Sequence, residues 1–390
     1  MRRMLFVCAV ALGVVLRSEW LVFAARVWLH DLLVRASEAT MPPIGRVREI
    51  IAGEALSMTL FHLVNLGIFD ELAERGPTAC GELGRGNFSK VGASFACRYA
   101  RFGAGAGLLE RLSNGSFALT EVGELLVSSH PNSLRDYAMF KLDQRYYEAE
   151  RRVGEPSNLA ALKPESGFKL ATGLEFFDYT KTAPSFADSF DGAMQGVSAG
   201  VDLAIVADYN LSPTATICDV GGGRGHLLAS FLQEYPKAQG VLFDMDDQVN
   251  AALQKGPLRP FAERTHFVPA NFFEPLSPVA ATCDVILMKW IVHDWGDEDA
   301  VRILRNVAAS ARPGTTLVLF ETILDIDGLS FERTKHAADF TMLILPAGAR
   351  ERTFAEFSDL FQATGRLSPP RRVKLRSVNS GIQATISTPH

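Results

Sequence analysis

At 390 residues the chain is too long for one small module and suits two domains; with 47% hydrophobic and 21% charged residues it excludes a disordered protein. A net charge of −5, from 39 basic and 44 acidic residues, argues against a chain built mainly to hold nucleic acid. Five scattered cysteines (Cys8, Cys80, Cys97, Cys218, Cys283) form no Cys-x-x-Cys pair, so they exclude a disulfide framework and a structural zinc site and read as buried or incidental thiols in a reducing compartment.

Residues 1–40 stand apart. Arg2-Arg3 precede an apolar run, Met4–Leu16, too short to span a bilayer as a helix, and a second apolar stretch, Trp20–Val34, follows. Three readings stay open: a signal or transit segment, an interfacial or partner-packing helix, or a segment upstream of a true start at Met41. From 41 to 126 the pattern predicts short amphipathic helices, one over Val47–Leu72, one around Cys80–Gly84 and one over Lys90–Phe102. A hairpin over Leu112–Thr120 is expected to turn on Asn114-Gly115 in a type I′ turn. Helices followed by a wing make a winged-helix arrangement. Arg85, Lys90, Arg98, Arg101 and Arg111 outweigh Glu82 and Glu110 there, which keeps a ligand-sensing DNA-binding protein open. Against it, Phe95, Cys97, Tyr99 and Phe102 suit a dimer core better than a DNA groove. Residues 127–210 read as helical and irregular, ending in a helix near Ser185–Tyr209.

Beyond residue 211 the chain reads as α/β. Strands over Thr216–Val220, Gly240–Asp244, Thr265–Pro269, Cys283–Lys289 and Thr315–Glu321 alternate with helices, which predicts a parallel sheet covered on both faces. Arg372–Ser377 and Gly381–Thr388 suit a closing hairpin. The first of these strands runs Asp219-Val220 into Gly221-Gly222-Gly223-Arg224-Gly225-His226. A dinucleotide fingerprint needs G-x-G-x-x-G; here Gly221, Gly223 and Gly225 fall as G-x-G-x-G, the pattern of S-adenosylmethionine (SAM) loops, which disfavours an NAD-dependent oxidoreductase. Asp244 ends the next strand, where a carboxylate can accept ribose hydroxyls. Lys289-Trp290 end a later strand and His293-Asp294-Trp295 follow in its loop, beyond the carboxyl end of the sheet where ligands sit; capping of the next helix is the plainer reading of His293.

Asp-Val-Gly-Gly-Gly-Arg-Gly, Leu-Phe-Asp, Phe-Phe-Glu-Pro-Leu, Lys-Trp-Ile-Val-His-Asp-Trp and Arg-Glu-Arg-Thr, in this order, resemble the motifs of SAM-dependent O-methyltransferases of the caffeic-acid and hydroxyindole type. The likeness runs from about Met41 to Ile386. It implies a Rossmann-like methyltransferase domain over 211–390, a winged-helix-like dimerisation domain over 41–126, and an acceptor-pocket region over 127–210. It implies a homodimer with SAM as cofactor and S-adenosylhomocysteine as product, no metal, no nucleic acid, and no membrane for the catalytic fold. A cytoplasmic location is expected, with residues 1–40 a potential address to an organelle or the secretory route. A relative that binds SAM without transferring methyl stays open as an alternative.

Residue by residue, the resemblance makes His293 the general base, flanked by Glu321 and Glu351; alternatively Glu351 pairs with its neighbours Arg350 and Arg352. It assigns Asp219, Gly221, Gly223, Gly225, Asp244, Met245, Asn271, Phe272 and Lys289 to the cofactor, and Phe190, Met194, Trp290, Asp294 and Met342 to the acceptor. Phe176 and Phe177 add to an apolar, aromatic-friendly pocket for a small hydroxylated aromatic acceptor. Three departures stand out. Asn271 replaces the Asp that holds the adenine, which lowers the expected SAM affinity; Ala347-Gly348-Ala349 replace a Gly-Gly; and the aromatic that packs on the cofactor does not align securely on Tyr146 or Tyr147. Thr353 and Glu356 form a capping box whatever else they do.

Overall fold

The computed structural model describes residues 19–84, 90–161, 164–325, 332–346 and 348–388. The run Met4–Leu16, Arg85 and Ala347, used above, lie outside the described residues. The chain divides into a helical unit, Val47–Asp202 with Thr341–Ala349, and a sheet unit, Met1–Arg46 with Leu203–Phe340 and Arg350–His390.

In the helical unit the helix expected over Val47–Leu72 is two, Pro43–Asn65 and Ile68–Arg75. The break falls at Gly67, whose φ of 70° is a left-handed conformation that ends one helix and starts the next. The helix expected around Cys80–Gly84 is a turn, and Gly84, with a φ of 68°, takes a left-handed conformation that a helical run does not continue through. Strands β1 (Thr78–Ala79), β2 (Leu109–Arg111) and β3 (Ser116–Leu119) form a small antiparallel sheet in the order β1-β3-β2. Its hairpin is not the expected type I′ turn, which needs two positive φ angles; only Gly115 has one, at 83°. Asn114 instead uses its Oδ1 to accept the Ser116 N–H at 3.0 Å, making a longer loop with glycine at the left-handed position. Leu63, Ile68, Phe69, Ala100, Leu109 and Phe117 pack one core, and Phe140, Tyr146, Phe168, Phe176, Phe186 and Ile344 pack another. The last helix of the expected irregular region runs Pro184–Asp208.

The sheet unit holds β4 (Thr216–Val220), β5 (Gln239–Asp244), β6 (Thr265–Pro269), β7 (Val285–Lys289), β8 (Thr316–Thr322), β9 (Arg371–Val373) and β10 (Asn379–Thr385). Their order is β6-β5-β4-β7-β8-β10-β9. The first five are parallel, as their nearly continuous apolar runs demand of strands buried on both faces. The closing hairpin is β9–β10; its longer strand lies antiparallel to β8, with Ser380 opposite Glu321. Helices Asp297–Ser310 and Phe354–Thr364 cover one face through Ile303, Leu304, Val307, Phe357 and Phe361. Because chain order reverses between β4 and β7, the crevice for a ligand opens at their carboxyl ends.

The free-thiol reading of the cysteines is corrected. Disulfides join Cys80 to Cys97 and Cys218 to Cys283, with Cα atoms 5.0 and 5.9 Å apart. The second pair is 65 residues apart in sequence and meets only because β4 lies beside β7. Among the described residues no single helix is long and apolar enough to cross a membrane.

Candidate active site

Two loops meet the carboxyl edge of the sheet at the reversal point. The first follows β4. Gly221, Gly223 and Gly225 have φ angles of 73°, 57° and 81°, which other residues rarely adopt. A Cβ on Gly221 would stand 2.5 Å from Ile291 Cδ1, and one on Gly225 2.1 Å from Leu258 Cδ1, so both also need their missing side chain. Gly223 faces open space, and its N–H donates to Asp244 Oδ2 at 2.7 Å. Asp244 thereby fastens the loop to the end of β5, while its other oxygen accepts the Met245 N–H at 2.7 Å. Met245 opens the next helix with its side chain half exposed. Asp219 is buried at the end of β4, and Lys289 ends β7 with its Nζ 5.0 Å from the Trp290 ring. His226 begins the following helix; burial, reinforced by Lys289 and Arg224, pushes it down to about 4, so it is neutral. A glycine cradle with room at Gly223 and an acid on the neighbouring strand fit the amino-acid and ribose parts of SAM. The two residues that the resemblance assigns to the adenine, Asn271 and Phe272, lie after β6. Asn271 turns its Oδ1 onto the Phe273 N–H at 3.0 Å, and Phe272 packs edge-on to Trp295.

The second loop follows β7. Trp290 enters it at a φ of 56°, the one left-handed non-glycine among the described residues. A short 3-10 turn, Val292–Asp294, then carries His293. The His293 Nδ1 lies 3.1 Å from Glu351 Oε1 and 3.6 Å from Glu321 Oε2, and its Nε2 lies 3.5 Å from Asp294 Oδ1. Glu321 is buried in β8 and its Oε1 accepts the N–H groups of Ile291 and Val292 at 3.2 and 2.9 Å. Glu351 is also buried, its own N–H donating to Asp339 Oδ1 at 3.0 Å. The structure thus brings His293 and its neighbour Asp294 together with two acids, Glu321 and Glu351, from segments that the sequence holds far apart.

Burial alone would lower the His293 pKa, but Glu321, Glu351 and Asp294 outweigh it and raise it to about 10. Burial lifts Glu321 to about 7 against the pull of His293, and lifts Asp294 to about 6 in the same way. Ligand atoms of His293, Glu321 and Glu351 lie within 4.8 Å of one another, close enough for a cation as well as for a shared proton.

Arg350 and Arg352 do not pair with Glu351, the alternative weighed for that residue. Both reach Asp297, at 2.9 and 2.8 Å, and Arg350 also reaches Glu356. The Thr353–Glu356 capping box is present. Sequence reasoning missed Arg352, which is fully buried. Of the residues that the resemblance assigns to the acceptor, Trp290 and Asp294 belong to the sheet unit, and Phe190, Met194 and Met342 to the helical unit. There Phe190 and Met194 pack on the Phe140–Phe176 cluster. Tyr146 is buried in that cluster, its hydroxyl pushed far above the usual range by burial, and Tyr147 is exposed. A cavity of about 450 Å³ opens at the amino-terminal edge of the sheet, lined by Tyr209, Asn210, Arg371 and Gln383, and shares no residue with this site.

A family model described as an O-methyltransferase domain matches residues 157–366. The phenazine O-methyltransferase of Lysobacter antibioticus is 30% identical over 81% of this chain and 89% of its own length. The mitomycin biosynthesis 6-O-methyltransferase of Streptomyces lavendulae is 28% identical over 82% and 88%. Among solved structures, a methyltransferase of calicheamicin biosynthesis in its S-adenosylhomocysteine-bound form superposes with a TM-score of 0.74 at 28% identity, covering 89% of this chain and all (100%) of that one.

Proposed function

The chain belongs to the SAM-dependent O-methyltransferase family, and from that premise we propose that it methylates a phenolic hydroxyl of a small aromatic natural product with His293 as general base. SAM, when bound, supplies an electrophilic methyl group on a sulfonium. The loop Gly221–Gly225 and Asp244 would hold its amino-acid and ribose parts, with Asn271 and Phe272 at the adenine. Relatives named for a phenazine and for mitomycin biosynthesis support an aromatic acceptor.

The carrying observation is the setting of His293. With Nδ1 engaged by Glu351 at 3.1 Å, the tautomer that donates from Nδ1 leaves Nε2 to take the acceptor's proton. A free histidine near 6.5 would face a phenol near 10 with roughly 5 kcal/mol to climb. Raised to about 10, His293 is matched to a phenol and would take its proton at Nε2 as the hydroxyl oxygen gains the methyl group that sulfur gives up, leaving S-adenosylhomocysteine and an imidazolium. The same carboxylates hold the imidazole protonated near neutral pH, so turnover climbs as pH rises. Glu321 keeps the loop in place through its main chain, and Glu351 orients the ring.

The test is a labelled-SAM assay of wild type and His293→Gln against phenols, flavonoids, hydroxyindoles and polyketides. General-base assistance contributes about 10²–10⁴-fold. H293Q should therefore keep its affinity for S-adenosylhomocysteine and lose at least about a hundredfold in turnover. Unchanged turnover in H293Q removes the assignment.

A further inference from the structure

The segment carrying His293 is fixed along its main chain, and one side chain that does not touch the imidazole makes two of the bonds that fix it. Arg352 is 0% exposed. Its Nη1 donates to Val292 O at 3.1 Å and its Nη2 to Trp295 O at 2.7 Å, the carbonyls on either side of His293-Asp294. Its Nε and Nη2 both reach Asp297 Oδ1, at 3.0 and 2.8 Å, where the next helix begins. The His293 carbonyl between them accepts the N–H of Arg350 at 2.8 Å. From the other side Glu321 takes the N–H groups of Ile291 and Val292. These bonds hold a loop that enters through left-handed Trp290, a conformation costing a non-glycine residue about 1–2 kcal/mol.

We infer that Arg352 is a positioning residue for the transfer: its guanidinium sets the place of the His293 imidazole by bridging the Val292 and Trp295 carbonyls. The chemistry suits the task. A guanidinium is planar, always charged, and offers five donors in a rigid fork, so it can bind two carbonyls and a carboxylate at once. An ammonium offers a point charge and no fork. The peptide backbone of Arg352 is also tied down, since Leu324 N donates to its carbonyl at 3.1 Å just beyond β8. Adjacent residues thus act on one histidine from two directions: Glu351 on its ring, Arg352 on its main chain. Misplacement of a reacting group by about 1 Å can cost about a hundredfold in rate.

The inference rests on His293 as the base, and the experiment separates the two claims. Arg352→Lys, H293Q and the double variant are compared for kcat, for the KM of SAM and acceptor, for S-adenosylhomocysteine affinity and for the pH profile. R352K is expected to lower kcat about 10- to 100-fold, with cofactor affinity within about twofold of wild type. It should also move the pH limb of kcat. In the H293Q background R352K should cost no more than about twofold, because a residue acting through His293 has nothing left to position. Multiplying losses in the double variant, wild-type kcat in R352K, or a parallel loss of cofactor affinity would each overturn the inference. Should H293Q itself keep its turnover, the base assignment fails first. Where R352K does not fold, Asp297→Asn removes the carboxylate anchor at a half-exposed position. D297N should lower kcat at least about threefold, and only when His293 is present; unchanged kcat overturns the inference.

Discussion

Replacing Glu351 by glutamine isolates what the carboxylates do to the base. The substitution keeps size and an oxygen for the Nδ1–H of His293, and removes one charge at 3.1 Å. The carboxylates lift His293 from 6.5 to about 10. An opposite charge within about 4–6 Å accounts for about 1–3 pH units, so losing the nearest of three should bring His293 down by one to two. The active form is the neutral imidazole, whose fraction rises with pH through that pKa. The rising limb of kcat/KM therefore moves to lower pH in E351Q. With about half of the basicity felt in the transition state, the high-pH plateau falls about three- to tenfold from base strength alone, and further if the ring loses its orientation. Near pH 7.5 the two effects oppose, since the weaker base is neutral more often. The assay is kcat/KM for methyl transfer from labelled SAM, from pH 6.5 to 10.5, taken as the ratio of wild type to E351Q with one acceptor so that the acceptor's own ionisation cancels. The ratio should shrink as pH falls through the two His293 pKa values and level off below that of E351Q. A constant ratio would refute the electrostatic account and leave Glu351 a purely geometric part.

Three more outcomes follow from the structure. Asn271→Asp puts a charged acceptor at the position proposed for the adenine and should tighten S-adenosylhomocysteine binding about five- to tenfold by calorimetry, charged hydrogen bonds being about 1 kcal/mol stronger than neutral ones; weaker binding would count against that placement of Asn271. Titration of thiols in the denatured, non-reduced chain should read one of the five cysteines, rising to five after reduction; five at the outset would refute the Cys80–Cys97 and Cys218–Cys283 bonds. Val47, Ile50 and Ile51 on the Pro43–Asn65 helix are more than half exposed, as a chain that pairs with a second copy would leave them; if the homodimer that the resemblance implies forms, light scattering should read twice 42.6 kDa, and a single chain mass at micromolar concentration would count against it.

The parallel strands were legible because buried strands are written as unbroken apolar runs between turn residues, and β4 to β8 begin and end within two residues of expectation. His293, Glu321 and Glu351 were legible as pieces of ordered motifs, although their meeting depends on strand order. Arg352 was not. In the run Arg-Glu-Arg-Thr an arginine reads as solvated, and only the loop folded over it reveals a fully buried side chain with four hydrogen bonds. The disulfides were hidden for a similar reason, since neither pair is a local motif. The hairpin at Asn114-Gly115 shows the opposite error: a strong local preference yielded to a longer loop that the side chain of Asn114 itself closes.

Neither unit is one unbroken length of chain. Thr341–Ala349 returns to the helical unit between the parallel strands and the closing hairpin of the sheet, where Leu343 and Ile344 accept the N–H groups of Gly167 and Phe168 at 3.2 and 3.1 Å. Ile344 is buried among the phenylalanines of that cluster. A single genetic crossover between two relatives, placed near Leu203, would therefore transfer most of the helical unit but leave this short segment from the other parent. Its main-chain bonds would survive, while Ile344 would meet an aromatic cluster selected beside a different side chain. Inheriting the unit whole requires two crossovers, so recombination in this lineage meets a barrier that point substitution at positions such as Phe190 or Met194 does not.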